Sequence, residues 1–343
     1  MDHKERFYAT IERQPVDRPA TWLGIPVTDA LPGLFQYFGV RNTHELIVKL
    51  DDDVVPVELP YHSPTSNAIY MAFDFAKKGV LSEHERTLTA PGFFEDYDDP
   101  SDVNKFDWPD PAKYIDPEEC RRAVEDVPPG RAVLGVLWSA HFQDTCAAFG
   151  MESALMKMYD APDLVIAVAD RIVDFYLEAN AIFYEATRGK LDAVLIGNDF
   201  GAQQALILST KMIRKFAFPG TRKLVDQAHA YGLKVIHHSC GAVRDIIPDL
   251  IDIGVDAIHP IQALAAGMEA ESLKRDFGDQ VSFCGGVDHQ NLLVRGSAAE
   301  VRQKVLELRQ IFPTGLVISP SHEAILPDIA PANVEAMFKA AKE

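Results

Sequence analysis

Short apolar runs alternate with longer amphipathic segments over the C-terminal two thirds of the chain. The runs are rich in β-branched side chains, and each ends in polar residues or glycine. Between them, apolar residues recur at spacings of three and four, which is the period of an amphipathic helix. The predicted helices include 212–230, 243–253 and 298–311. The predicted strands are 20–23, 54–57, 133–137, 193–196, 234–237, 257–259, 281–284 and 316–319.

Eight strand–helix repeats fit a (β/α)8 TIM barrel, so we predict an α/β fold with one barrel domain over residues 1–343. A doubly wound open sheet is the alternative, but no G-x-G-x-x-G motif follows a predicted strand to support a dinucleotide site. Residues 60–130 are rich in Pro, Asp, Phe and Tyr and have weak periodicity. They are predicted to form an N-terminal excursion over the barrel, with an antiparallel hairpin around residues 71–91.

The composition of the 343-residue chain, 47% hydrophobic and 24% charged, is that of an ordinary globular protein. A formal charge of −18 gives a surface that repels nucleic acid and anionic membranes, so neither is an expected partner. No apolar run reaches the ~18 residues that span a bilayer, and the charged N-terminal residues do not resemble a signal peptide. Four cysteines are too few for a disulfide framework. We therefore expect a cytoplasmic protein, with a homodimer left open.

Polar and metal-binding residue types follow five consecutive predicted strands. In a parallel barrel the loops after the strands converge on one face, where the active site forms. The C-terminal face is therefore the predicted functional site. The residues concerned are Asn198, Asp199, Gln203, His238, Cys240, His259, Gln262, Asp288, His289, His322 and Glu323.

The most specific short motif among them is His238-x-Cys240. Residues two apart in an extended segment point to the same side, so the imidazole and the thiol can face one ion. Zinc takes nitrogen and sulfur ligands, and a catalytic zinc has three protein ligands and an open fourth position. With His322 from a neighbouring strand, this motif predicts a zinc site. The alternative is a buried cysteine beside a hydrogen-bonded histidine.

Three longer strings carry a family resemblance. They are IGNDFGAQQALILSTKMIRKFAFP, GLKVIHHSCGAVRDIIPDLIDIGVDAIHPIQ and ISPSHEAILPDIAPANVEAM. By these strings the chain resembles the uroporphyrinogen decarboxylase superfamily, which includes zinc-dependent, corrinoid-linked methyltransferases, over nearly its whole length. The resemblance implies a (β/α)8 barrel and places a site aspartate at Asp199.

Two departures from the superfamily pattern distinguish its branches. True uroporphyrinogen decarboxylases carry an N-terminal W-F-M-R-Q-A-G-R-Y segment whose arginines bind substrate carboxylates, whereas residues 21–26 here read TWLGIP. Thiol-methylating members pair H-x-C with a distant cysteine, and His322 stands at that position. One thiolate and two neutral histidines leave Zn²⁺ with a charge of about +1, a stronger Lewis acid than two thiolates would leave. A more acidic zinc suits activation of a methyl donor.

The prediction is thus a zinc-dependent methyltransferase that moves a methyl group from a small methylated donor, such as an aryl methyl ether, to a corrinoid on a separate partner protein. The alternatives are transfer from a methylcobamide to an acceptor, a metal-independent decarboxylase, and a non-catalytic tetrapyrrole or corrinoid carrier. The predicted roles are metal ligands for His238, Cys240 and His322, catalysis for Asp199 and His259, and substrate binding for Asn198, Gln203, Gln262 and Asp288.

Overall fold

A curled sheet of seven parallel strands forms the framework of the computed structural model, which describes residues 1–76 and 90–343. The strands lie side by side in chain order, and helices return the chain between them, as βαβ units require. A separate two-stranded parallel sheet pairs β1 (Ile25–Pro26) with β9 (Ala324–Ile325). The strands of the main sheet are β2 (Val54–Glu58), β3 (Ala132–Trp138), β4 (Ala193–Gly197), β5 (Lys234–His238), β6 (Ala257–Ile261), β7 (Ser282–Val287) and β8 (Leu316–Pro320).

The helices agree with the predicted periodicity, with two refinements. The predicted helix 212–230 is interrupted at Ala217, just before a helix with Pro219 in its first turn. The predicted helix 243–253 begins as a 3₁₀ turn. The α-helices of the described residues are α1 (His3–Ile11), α2 (Leu31–Phe38), α3 (Thr43–Leu50), α4 (Pro117–Glu125), α5 (His141–Phe149), α6 (Met151–Asp160), α7 (Pro162–Ala186), α8 (Thr210–Phe216), α9 (Phe218–Ala230), α10 (Ile247–Ile253), α11 (Ala270–Phe277), α12 (Leu292–Arg295), α13 (Ala298–Ile311) and α14 (Pro331–Ala340).

The predicted first strand, residues 20–23, is not a strand of the sheet, and this corrects the prediction of a closed eight-stranded barrel. Of this segment, only Thr21 forms a β-bridge, to Ile318 of β8. On the other side, the backbone N–H groups of Thr21 and Leu23 donate to the carboxylates of Asp53 and Asp52, which precede β2. Side chains thus take the place of a β-ladder, and the described sheet has seven strands in a TIM-like arrangement.

Alternation along the strands separates two cores. One set of alternate residues, including Leu134, Leu195 and Ile236, faces the inside of the curled sheet, where Phe7 and Ile11 of α1 pack against it. The other set packs against the surrounding helices. This parity decides which strand-end side chains face the interior.

The predicted excursion contains α4, several 3₁₀ turns and an aromatic cluster. Phe73, Phe75, Phe94, Phe106 and Trp108 contact one another in this cluster. Most of the predicted hairpin around residues 71–91 lies outside the described residues, although Ala76 forms an antiparallel bridge with Gly92. Across 1–76 and 90–343, no helix combines the length and hydropathy needed to cross a membrane.

Candidate metal centre and substrate cleft

Two histidines occupy matching positions at the carboxyl ends of β5 and β6. Ile236 and Ala257 belong to the interior core, so His238 and His259, two residues further along each strand, face the same side. The two histidines are partners in the register of the sheet, and their Nδ1 atoms are 2.9 Å apart. His237 is the neighbour of His238 on β5 and therefore points to the opposite face of the sheet, toward the helices, where its ring stacks on Phe200. The alternation rule therefore separated the two adjacent histidines correctly.

Cys240 and Asp199 join His238 on the side of its other ring nitrogen. The Cys240 Sγ lies 3.4 Å from His238 Nε2, and an Asp199 oxygen lies 3.3 Å from the same nitrogen. Asp199 also accepts the backbone N–H of Cys240 at 2.9 Å, which holds the loop after β5 against the loop after β4. A ring nitrogen of His322, from the loop after β8, lies within 4.8 Å of the Cys240 Sγ. The three predicted ligands therefore meet around the sulfur.

Glu323, one of the strand-end candidates of the sequence, also belongs to this cluster. Its Oε2 is buried without a hydrogen-bond partner among the described residues, 3.2 Å from His322 Nδ1 and 3.5 Å from His238 Nδ1. The pairing of β1 with β9 holds the backbone beside it, because Ile25 donates to the Glu323 carbonyl. At Gly24, φ is +89° and a Cβ would overlap that carbonyl, so only glycine fits this close approach.

The charges of the cluster are coupled. Burial opposes the ionised form of the Cys240 thiol, but hydrogen bonds from His238 and His322 outweigh it and lower the thiol pKa. Burial likewise opposes the charge of His238, but Glu323, Asp199 and Cys240 raise its pKa well above the ordinary value. Burial would raise the pKa of Asp199, yet its bond with His238 brings that pKa to about 2. Asp199, Cys240 and Glu323 therefore favour a positive charge at the position of His238.

The donor set fits zinc. Tetrahedral ligands at ~2.0–2.3 Å from the ion lie about 3.5 Å from one another, and His238 Nε2 and Cys240 Sγ are 3.4 Å apart. The Oε2 of Glu323 makes no hydrogen bond among the described residues, so it is a further oxygen donor available to an ion beside the two imidazoles. Donor atoms within 4.8 Å of one another form three sets in the described residues: Asp199–His238–Cys240, His238–His259–Glu323 and Cys240–His322–Glu323. The predicted triad is spread over these sets, with Cys240 shared and Glu323 added.

The predicted substrate-binding residues are held in the surrounding loops. Asn198 accepts the backbone N–H of Phe142 at 2.7 Å, which ties β4 to the start of α5. Asp288 accepts three backbone N–H groups at the start of α12, so both carboxylate oxygens are engaged in the turn. Gln262 accepts the N–H of Gly241 and donates to Gln203, which in turn donates to the carbonyl of Leu264. Of these residues, Gln203 is the exposed one.

The loops after β4 and β5 are in direct backbone contact. A Cβ at Gly201 would approach the carbonyl of Cys240 to 2.5 Å, so the two loops lie closer together here than any residue other than glycine permits. Ala242 donates its N–H to the Ala202 carbonyl at 2.9 Å, and Phe200 donates to the Ser239 hydroxyl at 3.0 Å. The segments that carry Asp199 and Cys240 are thus joined along their length.

A cleft of about 800 Å³ opens beside the cluster and shares Glu323 with it. Ile25, Ile47, Tyr70, Trp138 and Glu58 line its other sides. The Trp138 ring stands edge-on to His238, with centroids 5.6 Å apart. A larger cavity of about 910 Å³ lies among the aromatic residues of the excursion and contains none of the strand-end groups.

Trp138 is a functional candidate that periodicity alone does not identify. It lies at the end of β3, where the register with β4 shifts, and both Trp138 and Ser139 have left-handed backbone conformations with φ of 56° and 50°. Such residues cost about 1–3 kcal/mol each and occur most often at functional sites. Here the strained turn aims the indole at the boundary between the cleft and His238.

Comparison with known proteins gives the chain its family. The family model of uroporphyrinogen decarboxylase (URO-D) matches residues 68–343. The chain belongs to the uroporphyrinogen decarboxylase family. The uroporphyrinogen decarboxylase of Magnetococcus marinus is a relative at 24% identity over 377 aligned residues, covering 100% of this chain and 97% of that protein.

A solved structure supports the fold of this family member. A methyltransferase from Methanosarcina mazei superimposes with a TM-score of 0.70 at 18% sequence identity, covering 99% of this chain and 98% of that one. The family model confirms the predicted superfamily, and the superposition supports the TIM-like architecture. In this member of the family, Ile25 and Pro26 line the cleft, and none of the described lining residues is lysine or arginine.

Proposed function

We propose that the protein is a zinc-dependent methyltransferase that moves a methyl group from a small methylated donor, such as an aryl methyl ether, to a corrinoid on a partner protein. The observation that carries this proposal is that Cys240 shares one donor set with His238 and another with His322, and that Glu323, which belongs to the second set, also lines the adjacent cleft. Zinc bound there would act as a Lewis acid on the oxygen of the donor. The methyltransferase name of the structural neighbour is compatible with this chemistry.

The neighbouring residues have distinct parts in the proposal. Asp199 has a side chain 53% exposed, so it can reach a substrate while it fixes the Cys240 loop. His259 is 0% exposed and contacts His238, so it is a positioning residue that orients the ligand imidazole. Glu323 lies 3.5 Å from His238 Nδ1 and can orient that ring, whereas His322 Nδ1 accepts the backbone N–H of Ala324 and is oriented by it.

The corrinoid protein would approach the C-terminal face of the sheet, since the ligand cluster opens there. Two large apolar side chains are exposed on loops of this face, Leu264 after β6 and Leu326 after β9, at 46% and 42%. Substitution of each leucine by Asp, followed by measurement of corrinoid-protein binding, tests whether the partner contacts them. The partner and the direction of transfer belong to the proposal.

The second candidate is a decarboxylase, which the family name and the Magnetococcus marinus relative favour. Porphyrinogen substrates of that enzyme carry several carboxylates, and their recognition requires positive side chains. The cleft of this chain offers Glu58 and Glu323 and, among its described lining residues, neither lysine nor arginine. This charge distribution favours methyl transfer over decarboxylation of a polycarboxylate.

Elemental analysis of the purified protein tests the zinc centre. We expect about one zinc per chain in the wild type, and little in Cys240→Ser and His322→Ala, since catalytic zinc needs three protein ligands. Cys120→Ser and His62→Ala serve as matched controls, because these residues lie outside the cluster. A wild type that binds no zinc would overturn the metal mechanism.

Turnover then separates the two enzyme candidates. Wild-type protein mixed with reduced corrinoid protein and a methoxylated aromatic should release the demethylated phenol, whereas Cys240→Ser should not. Release of CO₂ from a porphyrinogen without zinc or corrinoid protein would establish the decarboxylase instead.

A further inference from the structure

The charge of the cleft points to the class of methyl donor. We infer that the cleft recognises an uncharged methoxylated aromatic compound and discriminates against carboxylated ones. This inference rests on the proposed function for the role of the ligand as a methyl donor. It concerns recognition before any bond is broken, so it is measured separately from turnover.

The shape and lining of the cleft suit a single aromatic ring. Its volume of about 800 Å³ lies in the range of small-molecule sites. Ile25 and Ile47 provide aliphatic walls, and Trp138 and Tyr70 provide aromatic ones. Aromatic pairs gain stability beyond the apolar area that they bury, so a flat ring is favoured over an aliphatic ligand of the same size.

Trp138 couples the cleft to the ligand cluster. Its ring lies with its centroid 5.6 Å from that of His238, at an angle of 84° between the planes. Its backbone is held by a hydrogen bond from the Ser139 N–H to the Leu137 carbonyl and by one from the His141 N–H to the Ser139 carbonyl, at 2.6 and 2.7 Å. An aromatic ring packed on this indole would have its substituent near His238 and Glu323.

The electrostatics of the cleft select against a second anionic substituent. Glu58 is at the end of β2 and Glu323 is beside the ligand cluster, so carboxylates occupy two parts of the lining. The described lining contains no lysine or arginine that could pair with a ligand carboxylate, and His44 is its one imidazole. A ligand carboxylate would lose its hydration on entering the cleft and would be repelled by the carboxylates of the lining. Such repulsion of the wrong ligand gives specificity.

Direct titration of the zinc-loaded protein at pH 7 tests the inference. The probes are 2-methoxyphenol, which is neutral at this pH, and 2-methoxybenzoate, which is anionic; calorimetry reports binding without turnover. In the wild type we expect 2-methoxyphenol to bind about tenfold or more tightly than 2-methoxybenzoate. Equal or tighter binding of the benzoate, or no binding of either probe, would overturn the inference.

Variants of the exposed Glu58 identify the cause of the selectivity without disturbing the core. Glu58→Gln should raise the affinity for 2-methoxybenzoate about threefold to tenfold and leave 2-methoxyphenol nearly unchanged, and Glu58→Lys should reverse the preference. Asp226→Asn, on the exposed side of α9, is the matched control and should change neither affinity. An unchanged benzoate affinity in Glu58→Lys would contradict the electrostatic explanation.

Two substitutions of Trp138 separate stacking from structure. Trp138→Phe keeps an aromatic face and should retain most of the binding of 2-methoxyphenol, whereas Trp138→Ala should weaken it about tenfold or more. Absence of methyl transfer together with the expected binding preference would reject the proposed function and leave the inferred ligand preference intact. Methyl transfer from 2-methoxybenzoate in preference to 2-methoxyphenol would support the proposed function and reject the inferred ligand preference.

Discussion

Asp53 accepts the backbone N–H of Thr21 at 2.9 Å, so a carboxylate provides a contact that an eighth strand would otherwise make. The same side chain is 0% exposed and pairs with Arg6 and Arg18 at 2.7 and 2.6 Å. The segment before β1 is therefore joined to the sheet by an ion-pair network and one β-bridge to Ile318.

Removing this carboxylate should destabilise the fold strongly. Asp53→Ala removes the buried partner of Arg6 and Arg18 and leaves Arg6 only the half-exposed Asp17, and the loss of a buried partner costs about 3–5 kcal/mol in the free energy of unfolding. Urea unfolding measures the effect. Asp51→Ala is the adjacent control, because its half-exposed carboxylate should contribute about 1 kcal/mol or less. Similar losses in the two variants would show that Asp53 does not hold the sheet together.

A methyl group at Gly24 should disturb the ligand cluster from a distance. Gly24→Ala would place a Cβ on the Glu323 carbonyl at φ +89°, so we expect a loss of stability and a reduced zinc content. Gly39→Ala is the matched control, since Gly39 also has a positive φ of 66° but a Cβ there meets no neighbour. The control should lose only about 1 kcal/mol from backbone strain. Full zinc content in Gly24→Ala would separate the β1–β9 pair from the metal centre.

Substitution of the two buried histidines beside His238 should affect zinc affinity differently. His259→Phe removes the ring nitrogen that faces His238 Nδ1 at 2.9 Å, and loss of such an orienting partner typically lowers metal affinity about 10- to 100-fold. His237→Phe should leave zinc affinity unchanged, because neither of its nitrogens has a partner in the described structure and its ring stacks on Phe200. Competition with a chromophoric chelator measures both affinities. Equal losses in the two variants would indicate disturbed packing instead of lost orientation.

Asp144 should make the protein less stable as the pH rises. Burial raises its pKa to about 7, even though the Tyr176 hydroxyl donates to it at 2.6 Å. A carboxyl group with a raised pKa in the folded state costs stability once the unfolded chain ionises, from about pH 4 up to about pH 7. Relative to Asp144→Asn, the wild type should lose up to about 1.4 kcal/mol per pH unit across this window.

Unfolding in urea at pH 5 and at pH 7.5 checks this prediction. The free energy of unfolding of Asp144→Asn, relative to that of the wild type, should be higher at pH 7.5 than at pH 5. Asp163→Asn, on the exposed first turn of α7, is the control for losing a surface carboxylate. A constant difference between Asp144→Asn and the wild type would mean that Asp144 ionises in the folded protein as it does in the unfolded chain.

Much of the ligand cluster follows from periodicity. Period-two alternation assigned His238 to the interior and His237 to the helices, and convergence of strand ends brought Asp199, Cys240 and His322 to one place. These inferences hold because burial of one strand face constrains every second side chain.

The remaining features depend on contacts that have no periodic signal. Glu323 is placed by a two-residue pairing of β1 with β9, which is too short to show alternation. The orientation of Trp138 depends on positive φ values at Trp138 and Ser139, which neither residue type predicts. The segment 20–23 has the apolar character of a strand, but its outer hydrogen bonds go to the side chains of Asp52 and Asp53, so the composition could not distinguish the two arrangements.

The close approach of Gly201 to Gly241 has a mechanical consequence. Because the loops after β4 and β5 touch backbone to backbone and share three hydrogen bonds, Asp199 and Cys240 move as one rigid unit. Neither loop can act as a gate on its own. We therefore expect a ligand to enter along the cleft that β1 and α3 border, away from the two glycines.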